Sequence, residues 1–452
     1  MSFKIGKIRY KLNLYQIIAL AFLGIILLGT LLLSLPFARC QGTSFSLKTS
    51  LFTATSAVCV TGLSTVDIWT TYSFFGQLVL LALMEVGGLG FMSIVSILIH
   101  LIKHSNGVDS LSLMAESLGN GNLLSDVTRI QKRVILGSVG FEMLGALVLT
   151  LKFSSLTSLP RAIWFGLFHS VSAFCNAGFD LMGYFSPGSS LTLVCNSKVV
   201  LITIALLITI GGIGFIVWDD LASSRHFRDW SIYTKIVLSA TGLITLVGFA
   251  LFLIFEFNNP NSLGPMSLSD KIVNALFQAV TPRTAGFASI SQDALSDKSI
   301  ALTSILMMIG GSTGSTAGGI KTVTFIIIVK TLLSNAIDKK SVNIFKRTIS
   351  FDQITNAYTV AGSFILLSVL GSFIICLTSS VSFTHSLFES ISALATVGLS
   401  LNTTASLSTP ALLVLIVFMY IGRVGLLTLT MGFLRDTDNT SIKYPTVDLL
   451  IG

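Results

Sequence analysis

Long apolar runs alternate with short polar segments along the whole chain. Runs at 14–35, 134–151, 232–255 and 358–377 are each followed by a shorter stretch, a brief polar segment around one glycine, and a second apolar run. The second runs lie at 78–99, 199–218, 300–329 and 411–434. As helices rising 1.5 Å per residue, such runs suit a hydrocarbon layer about 30 Å thick. The pattern predicts eight spanning helices. Between the members of each pair, 46–57, 162–173, 271–281 and 385–393 are too short to span and predict half-membrane helices.

The pattern is a fourfold repeat. Ser56-Ala57-Val58-Cys59-Val60-Thr61-Gly62-Leu63 returns as Ser172-Ala173-Phe174-Cys175-Asn176-Ala177-Gly178-Phe179. It returns again as Val280-Thr281-Pro282-Arg283-Thr284-Ala285-Gly286-Phe287 and as Ser392-Ala393-Leu394-Ala395-Thr396-Val397-Gly398-Leu399. The glycines are 116, 108 and 112 residues apart. The second runs carry an echo of their own: Gly87-Gly88-Leu89-Gly90, Gly211-Gly212-Ile213-Gly214, Gly310-Gly311-Ser312-Thr313-Gly314 and Gly422-Arg423-Val424-Gly425. The expected fold is an all-α integral membrane protein of four tandem helix–pore loop–helix repeats, with four re-entrant pore helices around a pseudo-fourfold pore. Its expected divisions are an N-terminus (1–13), repeats at 14–100, 129–218, 230–335 and 356–434, linkers at 101–128, 219–229 and 336–355, and a tail (435–452).

Composition agrees with membrane embedding. Of the 452 residues 52% are hydrophobic and 11% charged, against about 25% charged in soluble domains. The net charge of +8 does not point to nucleic acid, because the basic residues fall in short clusters between apolar runs. Lys103, Arg129, Lys132, Arg133, Arg225, Arg228, Lys235, Lys339, Lys340, Lys346 and Arg347 lie at the repeat junctions, and Lys4, Lys7, Arg9 and Lys11 precede the first run. The positive-inside rule puts the junctions and both termini in the cytoplasm of a multi-pass plasma-membrane protein. The first run is too long for a signal peptide core, and no cleavage site follows it. The cysteines (40, 59, 175, 195 and 376) show no metal-site spacing; Cys40 and Cys195 could both face outside and pair.

Non-helical backbone at membrane depth needs burial in protein or contact with water. Four glycine turns around one axis meet that need. Their carbonyls can replace an ion's hydration shell, and the carbonyl ends of the short helices aim partial negative charge at the ion. The expected filter comprises Val60, Thr61, Gly62 and Leu63; Asn176, Ala177, Gly178 and Phe179; Thr284, Ala285, Gly286 and Phe287; and Thr396, Val397, Gly398 and Leu399. None is acidic, so backbone carbonyls and a weakly hydrated monovalent cation such as K⁺ fit better than a divalent ion. Asp67 and Asp180 just beyond either concentrate cations or are solvated surface groups.

The four loops, the stretch from Gly310 to Thr322 and Gly422-Arg423-Val424-Gly425 resemble the Trk/Ktr/HKT superfamily of K⁺ transporters over nearly the whole chain. Starting directly at the first repeat helix is more similar to the bacterial Ktr branch (KtrB) than to the Trk branch. In that superfamily glycine in all four loops accompanies K⁺ preference, and serine in the first accompanies Na⁺ permeation. The resemblance implies a K⁺ uptake subunit, a homodimer, and a cytosolic KtrA-like nucleotide-binding ring. Nucleotide then enters only through the partner, and the chain itself needs no cofactor; basic junctions can face that ring or membrane lipid. Na⁺ dependence stays open.

The third repeat's second run holds Gly310, Gly311, Ser312, Thr313, Gly314, Ser315, Thr316, Ala317, Gly318, Gly319 and Lys321. At about 1 kcal/mol per glycine, a continuous helix there is implausible. A break at mid-membrane is either a gate, as in the superfamily, or a static kink. No Walker A motif is present, since Ile320 separates Gly319 from Lys321. Arg423 stands where two other echoes have glycine, and serves either as an electrostatic barrier and gate partner or as a donor to loop carbonyls. Glu85, Glu142 and Glu389 are expected to be buried partners of hydroxyls or backbone, and His169 a satisfied interior residue. The five histidines cluster nowhere, so an enzyme is not expected. The rival transport mechanism is alternating access around a mid-membrane site.

Overall fold

A computed structural model describes residues 2–5, 8–11, 14–43, 46–89, 124–224, 226–339 and 341–425. Within them a long helix, a short helix, a glycine turn and a further helix follow one another four times. The first set is α1 (Leu14–Ser34), α2 (Leu47–Val58) and α3 (Phe74–Gly88). The second is α4 (Leu124–Phe153), α5 (Leu159–Phe174), α6 (Lys198–Ile213) and α7 (Phe215–Ser223). The third is α8 (Ile232–Glu256), α9 (Leu268–Val280), α10 (Asp297–Met308) and α11 (Thr322–Ala336). The fourth is α12 (Phe351–Thr378), α13 (Phe383–Leu394) and α14 (Thr409–Val424).

Serine starts many of these helices. Ser46, Ser73, Ser231, Ser267, Ser382 and Ser408 each accept a hydrogen bond from a first-turn backbone N–H. Each such cap stabilises its helix by about 1 kcal/mol over alanine.

The sets close into a ring. The helix after each glycine turn packs on the short helix of the next set: α3 on α5, α6 on α9, α10 on α13, and α14 back on α2. Single bonds tie these seams. Trp164 Nε1 donates to Gln77 Oε1 (2.8 Å), Lys198 pairs with Asp270 (3.7 Å), and Lys48 Nζ donates to Thr409 Oγ1 (3.4 Å). Polarity runs opposite to that of a soluble protein. Leu31, Leu136, Leu246 and Leu366 are exposed, whereas Thr30, Ser138, Thr241 and Ser368 are buried. Leucine outside and hydroxyls inside suit a hydrocarbon solvent.

The four leading helices are long and apolar enough to cross a membrane; the expected count of eight is not met as continuous helices among the described residues. The run 199–218 bends by 90° between α6 and α7, where Gly214 takes φ +93° and Phe215 N–H bonds Gly314 O (2.9 Å). The run 300–329 is broken over 309–321. The runs 78–99 and 411–434 extend beyond the described residues.

Two short antiparallel pairs depart from the all-helical expectation: β1 (Ser2–Ile5) with β2 (Ile8–Lys11), and β3 (Asn343–Ile344) with β4 (Arg347–Thr348). The second turns through Phe345 and Lys346 at φ +47° and +62°. That turn normally calls for Asn-Gly, so Phe-Lys carries no hairpin signal.

Candidate ion pathway

Each short helix ends at a turn with one recurring backbone form. Val60, Asn176, Thr284 and Thr396 have φ of +55°, +58°, +68° and +52°. Two residues on, Gly62, Gly178, Gly286 and Gly398 have φ of +95°, +70°, +79° and +93°. Three of the four glycine values lie beyond the ordinary left-handed region, where a side chain is costly. The strain at the non-glycine position, of order 1–3 kcal/mol in a sparsely populated conformation, persists only where surroundings over-determine it.

Those surroundings are visible. Thr61 N–H bonds Ser56 O (2.8 Å), Ala177 N–H bonds Ser172 O (2.7 Å), and Val397 N–H bonds Ser392 O (2.8 Å). The hydroxyls of the same serines reach the far side of the turn. Ser56 Oγ accepts from Gly62 N (3.0 Å), Ser392 Oγ accepts from Gly398 N (3.1 Å), and Ser172 Oγ donates to Phe179 O (2.7 Å). In the third set Thr281 performs this task one position later, donating to Phe287 O (2.6 Å). These four hydroxyls are absent from the expected site set. Their signal is a serine six residues before the glycine in three repeats and a threonine five before it in the other.

The turns meet one another. A Cβ placed on Gly62 would lie 2.6 Å from Ala177 O; on Gly178, 2.7 Å from Ala285 O; on Gly286, 2.6 Å from Val397 O. On Gly398 it would collide with Thr61 O. Each glycine therefore abuts the carbonyl of the next turn, and the fourth returns to the first. All sixteen expected filter residues lie in this ring of turns. Leu63, Phe179, Phe287 and Leu399 are buried behind it. Asn176 joins two turns through the Thr284 hydroxyl (3.3 Å), in the amide orientation that also serves Ala173 O and Ile208 O.

Beneath the ring, the third set is interrupted. Met308 ends α10 and Thr322 begins α11. The intervening chain doubles back, pairing Ile309 with Ile320 in parallel; Gly310 N–H bonds Ile320 O (2.9 Å). The loop is held by the second set and by α8 of its own set. Ser312 N–H bonds Gly212 O (3.0 Å), Thr316 Oγ1 donates to Phe174 O (3.3 Å), and Tyr233 Oη donates to Thr313 O (2.8 Å). Arg423 donates to Thr316 O and to Gly87 O and Gly88 O, which ties the loop to α3 and α14. A donor to loop carbonyls was one of its two sequence expectations. Lys321 Nζ donates to Ala317 O (2.7 Å). Gly318 has no room for a side chain beside Thr396 and Ala395 O, so the loop presses directly on the fourth turn.

Other residues fall as follows. Asp67 caps a one-turn helix through Thr70 N (2.9 Å) and binds Gly188 N (3.0 Å); Asp180 Oδ1 accepts from Met182 N (2.9 Å). Burial, with the Asp67 charge adding, pushes the Asp180 carboxyl up to about 6. His169 is satisfied on both ring nitrogens, by Phe165 O (2.7 Å) and Leu181 N (3.3 Å). Glu389 meets the Ser400, Thr403 and Thr404 hydroxyls. Glu85 and Glu142 depart from expectation: among the described residues they face each other across the Cys175 thiol, with Sγ 3.4 Å and 3.9 Å away, instead of hydroxyls or backbone. All five cysteines are free, so Cys40 and Cys195 are not paired.

A family model described as TrkH, cation transport protein, matches residues 9–442. The Ktr system potassium uptake protein B of Bacillus subtilis is 36% identical over 437 residues, covering 97% of this chain and 96% of that protein. The potassium/sodium uptake protein NtpJ of Enterococcus hirae is 36% identical over 452 residues, 99% of each chain. The structure of the potassium transporter TrkH from Vibrio parahaemolyticus matches with a TM-score of 0.68 at 19% identity, covering 92% of this chain and 85% of that one, a likeness of fold. Near-complete coverage by one family and its relatives, on a helical fold with a lipid-compatible exterior, leads to one conclusion: this chain is a membrane protein of the TrkH family of cation transport proteins.

Proposed function

We propose that this protein takes up K⁺ across the plasma membrane through a channel-like pore, as the membrane subunit of a Ktr-type system. The single observation that carries the reading is the closed cycle of glycine turns, each abutting the next turn's carbonyl. In the proposal the four sets are tandem repeats around a pore, α2, α5, α9 and α13 are pore helices, and carbonyls of residues 60–63, 176–179, 284–287 and 396–399 replace K⁺ hydration. The absence of carboxylates from these residues supports a monovalent ion. The segment 310–322, braced by Arg423, is the gate; its non-helical backbone and its bonds to several sets support that role.

Near-full-length similarity to proteins named for potassium uptake supports K⁺ as the ion, and the words "Ktr system" in those names support a further subunit. We assign that subunit as a cytosolic KtrA-like nucleotide-binding ring on a homodimer of this chain, with both termini cytoplasmic. No chemical transformation is assigned to the chain. Growth on limiting K⁺ of cells lacking their own K⁺ uptake tests the proposal. Expression should restore growth, more strongly with the cytosolic partner. No K⁺ uptake with or without it would refute the reading. Single-channel currents in bilayers would separate a pore from alternating access.

A further inference from the structure

The third turn carries a cation that the pore does not use. Arg283 adjoins Thr284 and is 8% exposed. Its Nη2 donates to Gly310 O (3.3 Å), Thr322 Oγ1 (3.1 Å) and Thr241 Oγ1 (3.4 Å). Gly310 and Thr322 stand at the two ends of the 310–322 loop, so one guanidinium holds both. Its Nε is buried without a partner, and among the described residues no carboxylate pairs with it. A guanidinium offers five N–H donors, and an unpaired charge at membrane depth is costly. The group is therefore short of acceptors.

It also has an opening. Arg283, Thr241 and Gly311 line a small chamber of about 20 Å³ with Thr209, Thr245 and Val280. The last three residues also line an adjoining apolar crevice of about 190 Å³ between α6, α8 and α9. Leu206, 57% exposed, stands at its outer edge, so the crevice faces the lipid.

We infer that this crevice is a lateral binding site for a single-chain amphiphile of the fatty-acid class, its tail along α6 and α9 and its carboxylate on Arg283. Charge complementarity selects the head group, since a carboxylate accepts two N–H bonds from one guanidinium. A chamber of about 20 Å³ favours a small terminal group over a phosphodiester with its glycerol. Bound there, the carboxylate competes with Gly310 O and Thr322 for Arg283 and loosens both ends of the loop. That consequence rests on the gate reading above; the binding site does not.

Binding of radiolabelled oleate to the purified chain in detergent tests the site. The wild type should bind saturably, and methyl oleate, which has the tail without the charge, should fail to compete. Arg283→Gln and Leu206→Trp should each weaken binding at least tenfold while remaining monodisperse, with Thr245→Phe as a second crevice-filling variant. Equal binding in these variants, competition by methyl oleate, or a co-purifying phospholipid that oleate does not displace would overturn the proposal. In proteoliposomes oleate should change K⁺ flux several-fold in the wild type and not in Leu206→Trp. Saturable binding with the variant pattern, in a protein that carries no K⁺, would uphold the site and refute the transport reading. Flux unmoved by bound oleate would overturn the link to the loop.

Discussion

At the scale of single residues, Gly62 shows what the ring demands. A side chain there meets φ +95° and the Ala177 carbonyl at once. Gly62→Ser must push that carbonyl aside, which in the proposed filter alters the spacing of the oxygens around the ion. K⁺ over Na⁺ preference should fall about tenfold, a change of about 1.4 kcal/mol in differential binding, read as Na⁺ competition in K⁺ uptake. Unchanged competition would count against Gly62 as a filter residue. The Ser392 hydroxyl holds Gly398 N from behind, so Ser392→Ala should cost about 1 kcal/mol of stability and loosen selectivity without abolishing uptake. Asp180 brings pH into play at the mouth. With its carboxyl pushed up to about 6, it is charged above that pH and neutral below. The apparent KM for K⁺ should rise as external pH falls from 7 to 5, and Asp180→Asn should show the high KM throughout with a flatter profile. The glycines were legible in sequence because each sits at positive φ with the next turn's carbonyl where a Cβ would go, so the same residue recurs in all four repeats. The positive φ of Val60, Thr284 and Thr396 was not, because β-branched residues ordinarily avoid it and only the surrounding bonds impose it.

At the scale of elements, the loop between α10 and α11 invites excision. A Cβ on Gly319 would lie 3.3 Å from Gly310 Cα, so the two ends already touch. Removing residues 311–318 joins them while moving neither helix far. If the loop closes the path, K⁺ flux should rise several-fold; equal or lower flux would refute the gate. The break was readable from five glycines in ten residues, but its bracing was not. Arg283 looked like part of a pore turn, and its bonds to Gly310 and Thr322 span sequence separations that no local pattern encodes. The right-angle bend after Ile213 was similarly hidden. Val199–Trp218 reads as one apolar run, and only the left-handed Gly214 together with its Gly314 partner turns it.

At the scale of the whole molecule, a fourfold internal repeat in one chain implies a ring only if its last member meets its first. Sequence spacing suggests four equal parts but cannot say whether they close. The closure lies in contacts between residues hundreds of positions apart: Gly398 against Thr61 O, α14 against α2, and Tyr420 Oη bonded to Ala19 O (2.8 Å). That closure makes one axis out of four turns, and the account depends on an ion sitting there. Anomalous diffraction from crystals grown with Tl⁺, a heavy stand-in for K⁺, measures this directly. A Tl⁺ peak is expected on the axis among the carbonyls of Thr61, Ala177, Ala285 and Val397, weakened by competing K⁺ and not by Na⁺. An axis without Tl⁺, or Tl⁺ bound only elsewhere, would contradict it.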